Sequence, residues 1–488
     1  MSLIDFSDKH LFGNEAAEDE IEDIFSSYAI RRPEVADFLD PGASLAVIRA
    51  YKGEGKSALL RLVNLELRKR TPTPVIIRIP ASSISPELDV ADFDRWVRAW
   101  KLNMVRLAAN EIGASIALAF GDDAITLVET AELNGYKQRS FVSSVVDRLK
   151  TSAVPLERTK QPAVNPEQTL KRWSENGSEV WMLIDDLDNN FENTAVQRAK
   201  VASAFSACRQ IANLIPEFRF RLTVRPNVWA TIKQHHETLS HVEQYVKSVS
   251  WTLDDYYEVI AKRVEAHLVR TGVWTRVRKT LSISLDKRNR QLIALAFDDP
   301  MPWGEHVRPP TTILHTLSRR RPRWMVELCK HAAAGAVTAR RERINKDDIT
   351  GVLPAFGSRR VQDTVAEFRA QCPEIEELLT AFVGEPEWFA TGDLMTALNN
   401  RVLQAVHPKI AGVIGQASAM EVAHFLFQIG FLTARRDLPV GKYEHLSYAD
   451  NPALLNARNN ADQGFSWEIH PVFRDVLKLK NVPARPQR

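Results

Sequence analysis

Residues 44–62 read SLAVIRAYKGEGKSALLRL and place an apolar run, a glycine-containing turn and an amphipathic stretch in direct succession. The run at 44–49 is short, apolar and bounded by turn residues, which predicts a buried strand. From Ser57 onward, apolar residues recur at helical spacing. Gly53 and Gly55 have no Cβ, so the backbone between strand and helix can turn tightly and direct its N–H groups at phosphate oxygens. The sequence therefore predicts a phosphate-binding loop.

The loop at 50–57 fits the Walker A pattern of nucleotide-binding proteins, with alanine in place of the first glycine. We expect Lys56 to pair with the β- and γ-phosphates of ATP and the Ser57 hydroxyl to ligate Mg²⁺. The positive end of the helix that begins near Lys56 points at the same phosphates. The other predicted nucleotide contacts are Ala50, Lys52, Gly53, Glu54, Gly55 and Ala58. A chance glycine–lysine turn is the alternative, but the strand before the loop and the helix after it favour phosphate binding.

A second chemical signal follows the apolar run 180–184, a predicted buried strand. Asp185, Asp186 and Asp188 come directly after it. Asp185 is the expected Mg²⁺ ligand, acting through water, because carboxylate oxygens suit this hard cation. Asp186 is the candidate base that polarises the attacking water. Asp188 is either a group adjacent to the magnesium or the cap of a helix that starts near Asn193. Together with the phosphate loop, these carboxylates indicate an ATPase.

Arginines at two places are candidates to sense the γ-phosphate. Arg225 follows 218–224, a predicted strand, and an exposed loop arginine is the competing interpretation. The run 318–324 reads SRRRPRW and precedes an apolar helix. Positive charge at a helix start opposes the helix dipole, so these arginines need a partner. Arg323 is the predicted second sensor and nucleotide contact, and Arg321 is the next candidate.

The strand and helix patterns alternate along the first half of the chain. Five short β-like runs are separated by helical stretches: 44–49, 75–79, 180–184, 218–224 and 249–251. This alternation predicts an α/β fold with a mostly parallel sheet that helices cover on both faces. We place this core at 1–265, with a helical insertion at about 84–178 and an exposed connection at 151–178. A helical lid is predicted at 266–355.

The C-terminal part, 356–488, is predicted to be a winged-helix-like domain. Helical patterns extend to Gly430, after which 431–434 and 443–448 flank a turn with proline and glycine, the pattern of a hairpin. A DNA-reading helix would lie near 419–429, yet this segment is mostly apolar. Arg435 and Arg436 in the predicted wing could contact a duplex backbone, and a protein-binding wing fits the composition at least as well.

The composition describes a folded chain of more than one domain. The 488 residues, 44% of them hydrophobic and 26% charged, exceed what one ordinary core holds. The near balance of 64 basic and 61 acidic residues neither requires nor excludes a nucleic-acid partner. Three widely spaced cysteines, Cys208, Cys329 and Cys372, are expected to be buried, reduced thiols. No apolar stretch approaches membrane-spanning length and no leader pattern opens the chain, so we expect a cytoplasmic protein without membrane contact.

Several of these motifs together resemble one protein group. The stretch from Phe12-Gly13-Asn14 through 50–60, IDDLD at 184–188, LTVRP at 222–226 and RPRW at 321–324 are similar to the bacterial P-loop ATPases related to AAA+, origin-recognition and STAND-type proteins. The resemblance covers about the first 350 residues. It implies an AAA+-like sheet with an additional strand, a helical lid and nucleotide-driven assembly, with Arg225 and Arg323 as the two sensors.

Two departures from the group qualify what the resemblance implies. Asp186 stands where many AAA+ members carry the longer glutamate, so its shorter reach predicts slow hydrolysis, which suits a switch better than a motor. No residue matches an arginine finger well, and Arg198 and Arg209 are the candidates.

The leading hypothesis is an Mg²⁺-dependent ATP switch that forms a homo-oligomer or docks a partner according to nucleotide state. The resemblance suggests a role in bacterial anti-phage defence with a protein effector encoded nearby. The alternative is an ATPase that loads on or remodels duplex DNA through its winged helix, and a nucleotide-bound scaffold with vestigial hydrolysis is a third. Arg276, Arg278, Lys279 and the basic run 338–343 could contact DNA phosphates, although a hydrated lid surface is the simpler interpretation.

Overall fold

The computed structural model describes residues 3–116, 122–136, 165–175, 177–304, 306–438, 442–455 and 464–481. The chain divides into two compact units. We call one the sheet unit, formed by Ala16–Asp19 and Ala29–Ser250. We call the other the helix-rich unit, formed by Met1–Glu15, Glu20–Tyr28 and Trp251–Arg488.

The sheet unit is built on five parallel strands. In chain order they are β1 Leu45–Arg49, β2 Val75–Pro80, β3 Val180–Asp185, β4 Phe218–Val224 and β5 Val246–Ser248. Their order in the sheet is β2-β3-β4-β1-β5, and every neighbouring pair is parallel. The α/β class is therefore confirmed, and β4 lies as an additional strand between β1 and β3. The last strand was predicted at 249–251, which is wrong by three residues.

Helices pack around this sheet because its central strands have no solvent-facing side. Every residue of β3 before Asp185 is fully buried, as a parallel strand covered on both faces requires. The α-helices of the sheet unit in the described residues are Pro33–Leu39, Lys56–Leu67, Phe93–Ser115, Asp122–Leu133, Pro166–Ser174, Ala195–Leu214 and Pro226–His235. Trp100 joins two of them, since its indole N–H donates to the Lys200 carbonyl at 2.9 Å while its ring fills the core.

The inserted segment contains the helices Phe93–Ser115, Asp122–Leu133 and Pro166–Ser174, and its end differs from the prediction. Residues 151–178 were expected to be an exposed connection, yet Pro166–Ser174 is a helix with Leu170 fully buried. Asn165 caps this helix by accepting the Glu167 N–H, and Pro166 suits its first position. Residues 151–164 lie outside the described residues.

A buried arginine holds the segment that leads into β1. The Arg221 guanidinium donates to the carbonyls of Phe38 at 2.6 Å, Asp40 at 2.7 Å and Ala43 at 2.9 Å. It lies 4.5 Å from the centre of the Trp181 ring. Burial, with the nearby Arg219 charge, lowers the pKa of Arg221 to about 9. Because three carbonyls depend on one side chain, Arg221 fixes the path of the chain into the strand that carries the phosphate loop.

The helix-rich unit combines many helices with two small antiparallel sheets. Its helices in the described residues are Glu22–Tyr28, Leu253–Arg270, Trp274–Val277, Leu285–Ala296, Pro310–Leu317, Pro322–Thr338, Lys346–Thr350, Leu353–Phe368, Ile375–Thr380, Thr391–Ala397, Leu398–Val402, Leu403–Ala405, Ala419–Gln428 and Pro471–Arg474. A two-stranded sheet pairs β6 Met301–Trp303 with β7 His306–Arg308. The other sheet has the order β10-β9-β11-β8, from β8 Trp388–Phe389, β9 Leu432–Leu438, β10 Lys442–Leu446 and β11 Ser466–Ile469.

The predicted C-terminal hairpin is confirmed by the antiparallel pairing of β9 and β10. The preceding helix, Ala419–Gln428, begins at a capping box in which Ser418 and Glu421 bond each other's backbone N–H groups. It contains no lysine or arginine, and each of its residues is buried or half-buried. This helix packs its buried side chains against the four-stranded sheet, which explains its apolar sequence.

Glu468 on β11 is a buried charge at the centre of the four-stranded sheet. Its carboxylate accepts bonds from Arg435 at 2.7 Å, Arg474 at 2.9 Å and His445 at 3.1 Å. Burial alone would raise the pKa of Glu468, but these partners lower it to about 2. The group therefore stays ionised in the folded protein and ties the hairpin to the end of the chain.

A second buried charge cluster surrounds Trp324 on the helix Pro322–Thr338. Arg321 pairs with Glu367 at 2.7 Å, and Arg360 pairs with Glu327 at 2.8 Å. Both guanidinium groups lie 4.4 Å from the centre of the Trp324 ring. Positive charge at a helix start requires a partner, and for Arg321 that partner is Glu367.

The three cysteines are buried and form no disulfide. Among the described residues, no helix combines the length and the apolar composition that a bilayer crossing requires.

Candidate functional site

The phosphate loop connects β1 to the helix Lys56–Leu67. It leaves the sheet at Ala50, whose N–H donates to the Val224 carbonyl at 3.1 Å. Gly53 and Gly55 have φ values of 88° and 93°, which glycine adopts without strain. Gly55 occupies the N-cap position of the helix, and no side chain caps it. The N–H groups of the first helical turn thus face no competing side-chain acceptor at the cap, as phosphate binding requires.

Glu54 closes the turn of this loop. Its carboxylate accepts the Tyr51 N–H at 2.6 Å, and its own N–H donates to the Tyr51 carbonyl at 3.1 Å. This reciprocal pair holds residues 51–54 in one conformation. Lys52, a predicted nucleotide contact, has an exposed side chain.

Lys56 is the buried cation of the loop. Its side chain reaches back over the turn, and Nζ donates to the Ala50 carbonyl at 2.9 Å. Only 7% of the residue is exposed, so a neighbouring anion would be weakly screened. Ser57 and Ala58 follow in the first turn and are half-buried.

The carboxylates at the end of β3 are organised by a residue of β4. The Thr223 hydroxyl donates to Asp185 Oδ1 at 2.6 Å, and the Asp186 N–H donates to the same oxygen at 3.0 Å. Oδ2 of Asp185 accepts no hydrogen bond from the residues the structure describes. Thr223 therefore orients the carboxylate and leaves one oxygen for a ligand.

Asp186 is placed in an unusual backbone conformation beside Lys56. Its φ of 54° lies in the left-handed region, which aspartate tolerates better than most residues. Partial burial of its carboxyl group and the Asp185 charge raise the pKa of Asp186, while the Lys56 charge acts in the opposite direction. A raised pKa moves this carboxylate toward the range in which a base is effective at neutral pH.

Asp188 and Arg225 form a pair between the ends of β3 and β4. Asp188 is fully buried and accepts the Arg225 N–H at 2.8 Å, and Arg225 Nε lies 3.5 Å from the same oxygen. The helix-cap interpretation of Asp188 is wrong, because Thr194 caps the helix Ala195–Leu214. Asp188 instead holds Arg225 at the carboxyl edge of the sheet.

The other predicted arginines lie in different surroundings. Arg198 donates to the carbonyl and the side chain of Asn193, at the start of its own helix, and Arg209 is half-buried farther along that helix. Arg321 is bound in its buried pair with Glu367. Arg323 is half-buried in the helix-rich unit, and its role as a sensor stays a prediction.

The donor set fits Mg²⁺ held with a nucleotide better than a metal held by protein alone. No group of three or more metal-ligating His, Cys, Asp or Glu side chains occurs among the described residues. Asp185 offers one free carboxylate oxygen, and Ser57 offers a hydroxyl at the start of the loop helix. Magnesium commonly binds one or two protein oxygens and takes its remaining ligands from phosphates and water.

Sequence reasoning missed Thr223 and the pairing of Asp188 with Arg225. Thr223 is a polar residue that is fully buried at the end of an apolar strand, and that position was its only sequence signal. The Asp188–Arg225 pair joins residues 37 apart in the chain, which no local pattern reports.

Comparison with known proteins finds likeness in structure alone. No protein family matches the chain, and no curated protein matches it. It is similar to the ORC2 protein of Aeropyrum pernix solved as ADPNP–ADP complexes, with 10% identity, a TM-score of 0.42 and coverage of 96% of this chain and 98% of that one. It is also similar to Cdc6p of Pyrobaculum aerophilum, with 12% identity, a TM-score of 0.34 and coverage of 97% and 98%. Its similarity to Drosophila ORC bound to DNA has 12% identity, a TM-score of 0.29 and coverage of 96% of this chain and 89% of that one.

Proposed function

We propose that the sheet unit binds ATP with Mg²⁺ and hydrolyses it slowly, as a switch that reports nucleotide state. The observation that carries the proposal is the convergence of Lys56, Asp185 and Asp186 at the carboxyl edge of the sheet. The Lys56 charge opposes the rise in the pKa of Asp186, and the loop and the end of β3 both follow the carboxyl ends of strands in one parallel sheet, which supports a shared site. A buried cation beside two carboxylates at a glycine loop suits a phosphate with its metal.

Each side chain has a distinct part in the proposed reaction. The loop N–H groups and Lys56 bind the β- and γ-phosphates, and Lys56 exchanges the Ala50 carbonyl for a phosphate oxygen. Ser57 and Asp185 hold Mg²⁺, which supplies charge neutralisation on the phosphates. Asp186 takes a proton from the attacking water. The water oxygen then bonds to the γ-phosphorus, and the bond between that phosphorus and the bridging oxygen breaks to release ADP. The short aspartate side chain limits this step, which supports slow turnover.

Arg225 is the proposed sensor within the sheet unit. Its guanidinium is only 19% exposed and lies beside the buried Asp188. A γ-phosphate would compete with Asp188 for this guanidinium, so the pair can link phosphate loss to movement at the end of β4. The resemblance extends the proposal in three ways. Arg323 is a second sensor, the ATP state is a homo-oligomer, and the docked partner is a protein effector.

The arginines of the predicted wing are already paired, which argues against the alternative of DNA binding through the C-terminal sheet. Arg435 is paired with Glu468 and Asp437, and Arg436 is paired with Glu444. The helix Ala419–Gln428 contains no lysine or arginine. A duplex would have to break these ion pairs, whereas a protein partner could use the sheet as it stands.

The decisive experiment measures ATP binding by calorimetry, with and without Mg²⁺, for the full chain and for Lys56→Ala. Loss of charge-assisted bonds worth about 1.5–3 kcal/mol should weaken ATP affinity by about 10- to 100-fold. Lys69→Ala is the matched control, because Lys69 is an exposed lysine just beyond the same helix. Equal ATP affinity in the wild type and Lys56→Ala, with both folded, would overturn the proposal.

Turnover separates the switch from a scaffold with vestigial hydrolysis. Asp186→Asn should retain Mg²⁺-dependent ATP binding and lose phosphate release. Sedimentation velocity in ATP, in ADP and without nucleotide then tests assembly. A sedimentation coefficient that is the same in all three conditions would remove oligomerisation from the proposal.

A further inference from the structure

A short segment of the helix-rich unit carries exposed basic and exposed apolar side chains together. Residues 276–287, which we call the basic–apolar segment, contain Arg276, Arg278, Lys279 and Lys287 but only one acid, Asp286. All four basic residues are exposed, and none has an acidic partner among the described residues. Adjacent basic residues differ: Arg288 pairs with Glu265 at 2.7 Å, as Arg270 does with Asp8 at 2.9 Å.

The same segment exposes apolar side chains. Ile283 is completely exposed and Leu285 is 61% exposed. An isoleucine in full contact with water is unfavourable, by about 2 kcal/mol relative to burial. Two such residues beside four free cations distinguish this segment from a merely hydrated charged face.

The segment is held in place rather than hanging from the unit. Val277 is buried, and the Ser282 N–H donates to Gln291 Oε1 at 2.7 Å. The Arg288 guanidinium lies 5.3 Å from the centre of the Trp274 ring, which fixes the helix before the segment to the helix after it. The exposed side chains are therefore presented from a defined backbone, which lowers the entropy lost on binding.

We propose that the basic–apolar segment is a docking face for the backbone of duplex DNA. Duplex DNA carries one charge about every 1.7 Å, so closely spaced free cations match a run of phosphates. Ile283 and Leu285 would contact sugars and base edges of the minor groove, where apolar side chains commonly enter. The face lies outside the wing and outside the sheet unit, so it is independent of the proposed ATP site.

The test is fluorescence anisotropy with a labelled 30-base-pair duplex at a series of salt concentrations. Four phosphate contacts give a slope of log affinity against log salt of about −3.6. Arg276→Gln/Arg278→Gln/Lys279→Gln should lower affinity about 10-fold or more and bring the slope to about −0.9. The control, Arg98→Gln/Arg106→Gln/Lys409→Gln, removes the same charge from exposed sites outside every candidate DNA contact and should leave the slope unchanged.

Further arms make each result decisive. Ile283→Ser/Leu285→Ser should weaken DNA binding several-fold without changing the salt slope. Equal loss in the two triple variants would show a general charge effect and overturn the proposal. Binding of the segment to phosphatidylserine vesicles without binding to duplex would do so too. ATP affinity of every variant should equal that of the wild type, which keeps this test separate from that of the ATP site.

Discussion

Replacing Glu468 by glutamine removes the buried negative charge of the C-terminal sheet while keeping its size. The folded protein holds the pKa of Glu468 at about 2, against an ordinary value of 4.5. At about 1.4 kcal/mol per pKa unit, this difference corresponds to about 3 kcal/mol of stability at neutral pH. The side chain is only 8% exposed, so solvent screening removes little of that amount.

The sign of the pH dependence follows from the lowered pKa. Because the folded state binds the proton more weakly than the unfolded state, the stabilisation is complete above about pH 4.5. It is lost as the pH falls toward 2. The glutamine variant should be less stable by about 3 kcal/mol at pH 7, and the two proteins should converge near pH 2.

The measurement is hydrogen exchange in urea, read in peptides that cover β9 and β11 and corrected for intrinsic exchange at each pH. Glu444→Gln is the matched control on the same sheet, because its pair with Arg436 is 34% exposed and should contribute under about 1 kcal/mol. Equal opening free energies for wild type and Glu468→Gln at pH 7 would refute the assignment of this charge. A difference in opening free energy between the wild type and Glu468→Gln that persists at pH 2 would refute it too.

Three further predictions concern the sheet unit. Asp188→Asn should destabilise it by about 2–3 kcal/mol in urea denaturation, because the buried partner of Arg225 loses its charge; an unchanged midpoint contradicts this. Arg221→Met should cost about 3 kcal/mol or more and speed hydrogen exchange at 38–43, whereas unchanged exchange there would show that the three carbonyls find other donors. Thr223→Val should weaken ATP binding only when Mg²⁺ is present, at a stability cost of about 1 kcal/mol, and calorimetry that shows equal loss without Mg²⁺ contradicts the orienting role.

Four strands of the parallel sheet could be predicted because each is a short run rich in aliphatic and aromatic residues between turn residues, although β2 and β4 also carry arginines. β5 could not, because Val246–Ser248 is an edge strand with two exposed residues and no apolar pattern. The more apolar run 249–251 next to it attracted the prediction. The helix Pro166–Ser174 was missed because it lies within 151–178, which was predicted to be an exposed connection. Asn165 and Pro166 nevertheless form a recognisable helix start.

The candidate site divides in the same way. The loop residues and the carboxylates after β3 could be predicted, because glycine spacing and a carboxylate after an apolar strand are local features. Their hydrogen-bonded supports could not, since Thr223 and Arg225 meet β3 only through the parallel pairing of β3 with β4. The separation of units likewise lies beyond sequence, because Met1–Glu15 belongs with residues more than 230 positions later.

The position of β1 between β4 and β5 has a consequence for how this protein is made. β4, the first of its two neighbours to be synthesised, begins about 170 residues after β1 ends. At about 5–20 residues per second, translation leaves the edges of β1 unpaired for roughly 10–30 s. During that time an apolar strand with two open edges is a template for aggregation. Nascent chains arrested before Phe218 should therefore need chaperone protection and should not retain nucleotide.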